Sequence, residues 1–107
     1  TPSALWTAAN TGVQLQTVIT NNRVYYNDVE HQEKDAIHRG RPVENNLVGM
    51  EMAKPPVDFA NLARTFSVHG EGPITEPAEI RPAVERAIKV IKEEKRPALV
   101  DVYMQMV

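Results

Sequence analysis

The chain has 107 residues, enough for one small domain with one core. Twelve Lys and Arg stand against 14 Asp and Glu, a formal net charge of −2, so there is no electrostatic case for a nucleic-acid or anionic-membrane partner. With no cysteine, disulfides, thiolate catalysis and sulfur-ligated metals are excluded, and a cytoplasmic setting is compatible with that composition.

No apolar run approaches the ~20 residues that a membrane-spanning helix requires. The chain opens Thr1-Pro2-Ser3-Ala4-Leu5-Trp6, without an initiator Met or a signal-peptide pattern. It therefore reads as a segment of a longer polypeptide.

Residues 3–10 are rich in helix formers, and Gly12 stands where a helix end favours it. Leu5, Trp6 and Ala9 form the expected apolar stripe. Residues 13–20 are rich in β-branched types and are bounded by Asn21-Asn22. They alternate and then turn mostly apolar, as a strand does on entering a covered sheet.

Residues 28–39 are polar and helix-compatible, with Gly40 as a stop and a weak stripe of Val29, Ala36 and Ile37. Residues 41–56 show no period and read as a long loop. Asp58 is a good N-cap for a helix over residues 59–67, with Phe59, Leu62, Ala63 and Phe66 at helical spacing. Residues 68–74, with Gly70 and Gly72, make a short strand or turn.

Thr75 is then expected to cap a helix reaching about Glu94, with Ile80, Val84, Ala87, Ile88 and Ile91 on one face. Pro82 implies that this helix starts near Arg81 or bends there. Residues 97–104 close the chain as an apolar strand. Strands separated by helices, without a hairpin signal, predict an α/β fold with a parallel sheet flanked by helices.

Asn21-Asn22 falls at the C-terminal end of the first strand, where ligands of open α/β sheets sit. An Asn carboxamide oxygen is a hard neutral donor suited to Mg²⁺ shared with phosphates. Asn is equally a favoured turn residue, and spacing alone favours the turn.

Several blocks in order carry a resemblance. They are Ala4-Leu5-Trp6-Thr7-Ala8-Ala9, Thr17-Val18-Ile19-Thr20-Asn21-Asn22, Asp58-Phe59-Ala60-Asn61-Leu62-Ala63 with Phe66, and Arg96-Pro97-Ala98-Leu99-Val100-Asp101-Val102. Together they resemble the C-terminal part of acetolactate synthase and benzoylformate decarboxylase-like enzymes, the thiamine-diphosphate-dependent decarboxylases and carboligases. The resemblance implies that residues 1–107 are the C-terminal part of a thiamine-diphosphate-binding domain.

It also implies that Asn22, by its side chain, and Val24, by its carbonyl, are Mg²⁺ ligands. Asn21 would mainly order the turn, and Tyr25 would join Asn21, Asn22 and Val24 in binding the cofactor. The anionic ligand would lie in a Gly-Asp-Gly motif upstream of Thr1, and the glutamate that activates the cofactor in another domain. No catalytic residue is thus assigned within the chain, and the isolated segment is expected to be inactive.

The implied substrate is a small 2-oxo acid, and the implied assembly a homo-oligomeric dimer or tetramer with cofactor at a subunit interface. Hydrolytic cleavage of a cyclic diketone, or a non-catalytic assembly role, are the alternatives. Tyr26 is a further candidate contact. His31 reads first as a solvated helix histidine rather than an acid or base, and Asp28 with His31 lacks a third metal ligand. Asn45-Asn46 follows no strand. Departure from the family pattern is greatest across residues 30–52.

Overall fold

In a computed structural model, residues 1–105 are described, and they form two compact units. The first comprises Thr1–Asn21 and Asp58–Met104, and the second is built on Asn22–Val57.

The first unit contains α1 (Ser3–Thr11), β1 (Gln16–Asn21), α3 (Phe59–Thr65), β2 (His69–Ile74), α4 (Pro77–Glu94) and β3 (Ala98–Tyr103); α2 (Tyr26–His38) lies in the second. The three strands are parallel in the order β1-β3-β2. The last strand is therefore central, which explains its nearly continuous apolar sequence.

Alternation along β3 divides the core. Ala98, Val100 and Val102 pack with Ala83, Ala87 and Ile91 of α4, and Ile74 and Ile80 complete that layer. On the opposite face Leu99 packs with Ala63 and Val68, joined by Leu5, Ala9, Ile19, Phe59 and Phe66. This is the α/β fold that the alternation of patterns predicts.

Helix ends follow a shared device. After α1, Gly12 takes φ 67, its N–H bonds to the Ala9 carbonyl, and the Val13 N–H reaches back to Ala8. Ser67 (φ 62) repeats the arrangement after α3, with its N–H on Arg64 and the Val68 N–H on Ala63. Both are Schellman ends, which satisfy carbonyls that the last helical turn leaves open. Asp58 caps α3 as expected, its Oδ1 accepting the Asn61 N–H at 2.8 Å.

Several expectations need correction. β1 begins at Gln16, since Val13 is used to close α1. It is not covered along its length: it pairs only with β3 among the described strands, and Val18 is 48% exposed. Trp6 is also exposed, so the α1 stripe narrows to Leu5 and Ala9, with Ala8 buried beside them.

α4 starts at Pro77, not near Arg81, and its N-cap is Glu76 rather than Thr75. Proline at the first helical position costs nothing, because that N–H has no helical partner. Pro82 lies within the helix and forfeits one backbone bond. The buried face is also rotated from the expected one. Ala83, Ala87 and Ile91 are buried, whereas Ile88 is exposed, because the small alanines admit close approach to the sheet.

In the second unit, α2 ends with Gly40 at φ 61 in the same Schellman pattern, the Arg41 N–H bonding to Ala36 at 2.8 Å. Val29 is its buried residue and Ile37 is 64% exposed, as a weak stripe on a surface helix implies. The aperiodic stretch that follows is made of turns, tied back by an antiparallel bridge between Val24 and Glu51. No helix among the described residues is long and apolar enough to cross a membrane.

Candidate functional site

β1 delivers Asn21 to the carboxyl end of the sheet, opposite Tyr103 of β3. Its carbonyl accepts the Met104 N–H at 2.9 Å. The residue is only 5% exposed, and its Nδ2 donates to Oδ2 of Asp101 at 3.5 Å.

Asp101 is wholly buried, and its Oδ1 meets no hydrogen-bond donor among the described residues. Burial pushes its carboxyl above the ordinary aspartate range; the Asn21 hydrogen bond opposes that rise, and the charge of Asp58 adds to it. Gly72 of β2 (φ +134) lies against the same residue. A Cβ there would stand 2.5 Å from the Asp101 carbonyl oxygen and 2.9 Å from its Cβ.

Asn22 belongs to the second unit and does the work expected of Asn21. Its Oδ1 accepts the Val24 N–H at 3.3 Å, closing a turn in which Arg23 takes φ 57. Asn21 is instead a sheet residue, with its side chain directed to Asp101. The turn is fixed by two more backbone bonds, from the Met52 N–H to Arg23 at 2.8 Å and from the Tyr25 N–H to Met50 at 3.0 Å.

Val24 is buried, and among the described residues its carbonyl accepts no hydrogen bond. The Tyr25 carbonyl is used to start α2, accepting from Asp28 and Val29, while the rings of Tyr25 and Tyr26 are exposed.

The turn therefore contains two hard neutral oxygens within three residues. Asn22 Oδ1 has a second lone pair beyond its bond to Val24, and the Val24 carbonyl is unused. This donor set fits part of a Mg²⁺ shell, an ion commonly held by one or two protein oxygens and by substrate phosphates. Among the described residues no three His, Cys, Asp or Glu are grouped to hold a metal, so the set is neutral.

The other candidates fall outside it. His31 is exposed, and its Nδ1 pairs with the Asn27 carbonyl at 2.8 Å, as a solvated helix histidine does. Asn45 and Asn46 lie in a turn, where the Asn45 carbonyl accepts the Val48 N–H. A cleft of about 380 Å³ in the first unit is lined by Leu5, Leu15, Ile19, Phe59, Leu62 and Leu99 among others. That apolar lining does not suit a diphosphate.

Asp101 and Gly72 were not singled out by sequence reasoning as site residues. A lone carboxylate in the apolar run Ala98-Leu99-Val100-Asp101-Val102 is the signal that could have found the first.

No solved structure matches the chain significantly. Residues 1–102 match the family described as thiamine pyrophosphate enzyme, C-terminal TPP binding domain. That match covers nearly the whole chain, and the chain belongs to the thiamine pyrophosphate enzymes as a C-terminal, cofactor-binding domain.

Proposed function

We propose that this domain supplies the neutral-oxygen half of a magnesium and diphosphate site in an enzyme of the acetolactate synthase and benzoylformate decarboxylase kind. Its reaction is the decarboxylation or carboligation of a small 2-oxo acid, in a cytoplasmic homo-oligomer. The observation that carries this reading is the turn after β1, where Asn22 Oδ1 and the Val24 carbonyl are both available as hard donors.

Each residue has a distinct part. Asn22 and Val24 bind the cation, and through it the diphosphate. Asn21 holds the end of β1 from which the turn departs. The exposed Tyr25 ring is available to the cofactor, and its backbone is fixed at both N–H and carbonyl. Bound thiamine diphosphate supplies the carbon-centred chemistry that 2-oxo acids require, and the protein orients it. A neutral donor pair leaves the cation's charge to be balanced by the diphosphate and by a carboxylate from elsewhere in the enzyme.

Calorimetric titration of the intact protein with Mg²⁺ and thiamine diphosphate tests the reading. Asn22→Ala is expected to weaken Mg²⁺ binding about 10–100-fold, the scale on which contacts around a metal act. Absence of binding by the wild type, or unchanged binding by the variant, would overturn it. Product analysis with pyruvate, benzoylformate and cyclic diketones then distinguishes 2-oxo acid chemistry from C–C hydrolysis.

A further inference from the structure

We propose that the end of α3 is a second ligand site, which takes a phosphorylated heteroaromatic compound of the nucleoside monophosphate class. It lies wholly within the first unit and does not depend on the reading of Asn22 and Val24.

Two clefts meet at Ser67. The first, of about 290 Å³, lies between α1 and the end of α3, with Trp6, Asn10 and Phe66 in its lining. The second, of about 340 Å³, lies at the amino ends of β2 and β3, and its charged lining is Arg64 and Arg96. Ser67 lines both. Each alone is near the small end of ligand pockets, so a ligand with two chemically different parts would use the pair.

The first cleft suits a ring. Trp6 is 56% exposed, so its indole is available to a planar partner, and stacking of this kind tolerates any heterocycle. Asn10 adds a carboxamide, donor and acceptor at once, for the polar edge of such a ring.

The second cleft suits a phosphate held by side chains. Its backbone amides are already used: Ser67 N–H bonds to Arg64, Val68 to Ala63 and His69 to Pro97. The same bonds occupy the Ala63 and Arg64 carbonyls, so these do not face an anion as bare acceptors. Arg96 Nε donates to Glu94 Oε2 at 2.6 Å, which fixes the guanidinium and leaves its two terminal nitrogens. Arg64 makes no ion pair among the described residues. His69 is not a donor here, since its Nε2 is buried 3.7 Å from Glu71 Oε2. Two guanidinium forks on one cleft match the several acceptor oxygens of a phosphate monoester.

Ser67 marks the junction. It takes φ 62 where the corresponding residue after α1 is Gly12. Glycine would adopt this conformation without strain, and serine adds little except its hydroxyl. That hydroxyl enters no hydrogen bond among the described residues, and it stands where the ring and phosphate parts of a ligand would join.

The test is calorimetric titration of the intact protein with adenosine 5′-monophosphate, adenosine and inorganic phosphate. Saturating Mg²⁺ and thiamine diphosphate are present, and the ionic strength is physiological to screen diffuse charge attraction. The monophosphate is expected to bind more tightly than either of its parts. Arg64→Gln and Arg96→Gln should each weaken it about 10-fold, the scale of a hydrogen bond to a charged group, and leave adenosine unchanged. Trp6→Leu should weaken the monophosphate and adenosine alike, by about 5–10-fold, and leave phosphate unchanged. Ser67→Gly should weaken the monophosphate about 3-fold while raising the thermal midpoint, a combination that a purely structural serine would not give.

Arg81→Gln removes the same charge from an exposed position on α4 and should bind as the wild type does. A wild type that does not bind the monophosphate, or binds it no more tightly than phosphate, would overturn the proposal. So would unchanged binding in both arginine variants, or a loss in Arg81→Gln equal to theirs. If Arg96→Gln does not fold, Arg64→Gln at its exposed position carries the decision.

Discussion

In the unit formed by Thr1–Asn21 and Asp58–Met104, a central strand is covered on both faces, and its core runs from Ala8 to Val102. In Asn22–Val57 the buried apolar residues among those described are Val24 and Val29, and Ile37, Leu47 and Val48 are exposed. The first unit is held by apolar burial. The second is held by backbone hydrogen bonds across turns, such as Tyr25 to Met50 and Met52 to Arg23. A segment of the second kind can change sequence with little loss of packing. The chain passes from one unit to the other between Asn21 and Asn22.

The contrast is most directly broken by truncating one apolar residue in each unit. Leu99→Ala removes a fully buried side chain from the centre of the sheet and is expected to cost about 2–5 kcal/mol. Ile37→Ala acts on an exposed helix position and should stay within about 0.5 kcal/mol. Hydrogen exchange of the β3 and α2 amides reads each unit separately in the intact protein. Equal losses would mean that the second unit has packing that its exposure does not reveal.

Glycines sharpen the same comparison at a smaller scale. A Cβ at Gly70 would overlap the Ala60 carbonyl, which is backbone and cannot swing aside. Gly70→Ala is therefore expected to cost about 1–3 kcal/mol by overpacking, read as faster exchange in β2. Gly49 in the second unit has open space around it and φ +77. Its substitution by Ala should cost about 1–2 kcal/mol through left-handed strain alone, without disturbing any neighbour.

How far the sequence discloses this molecule follows from the same physics. Periodicity places α1, α3, α4 and the two outer members of the chain order, β1 and β3, because each has an apolar face to bury. Gly12, Gly40 and Asp58 mark ends by chemistry that only a few residue types can perform. Ser67 performs the same task as Gly12, yet serine carries no such signal.

The rotated face of α4 was obscured because Ala83 matters through its small size rather than its hydrophobicity, so the larger Ile88 seemed the better core residue. β1's exposed side could not be foreseen either, since strand order depends on pairings that no local pattern encodes. For the site, the Asn pair was legible, but the division of labour within it was not. Which carboxamide closes the turn and which meets Asp101 depends on a contact between residues 80 positions apart.

That contact yields the smallest expected effect, because the substitution leaves shape and hydrogen bonding in place. Burial raises the folded-state affinity of Asp101 for a proton above that of an unfolded aspartate, whose ordinary value is 3.8. Below 3.8 the group is protonated in both states and burial of its charge costs nothing. As pH rises, the unfolded chain ionises first and the folded one must follow in a dry setting. Stability present at acid pH is therefore lost as pH climbs from 3.8 through the raised folded value, and the loss is constant above it.

Asp101→Asn cannot ionise, so its stability relative to wild type should rise across that window and then level off. The measurement is hydrogen exchange of β3 amides, corrected for intrinsic rates, in both proteins over the acid-to-neutral range. A difference that stayed flat with pH would mean that Asp101 is as well solvated as an unfolded carboxylate. A difference of opposite sign would mean that the ionised form is held by donors stronger than the Asn21 carboxamide, and that Asp101 is a buried anion with a partner of its own.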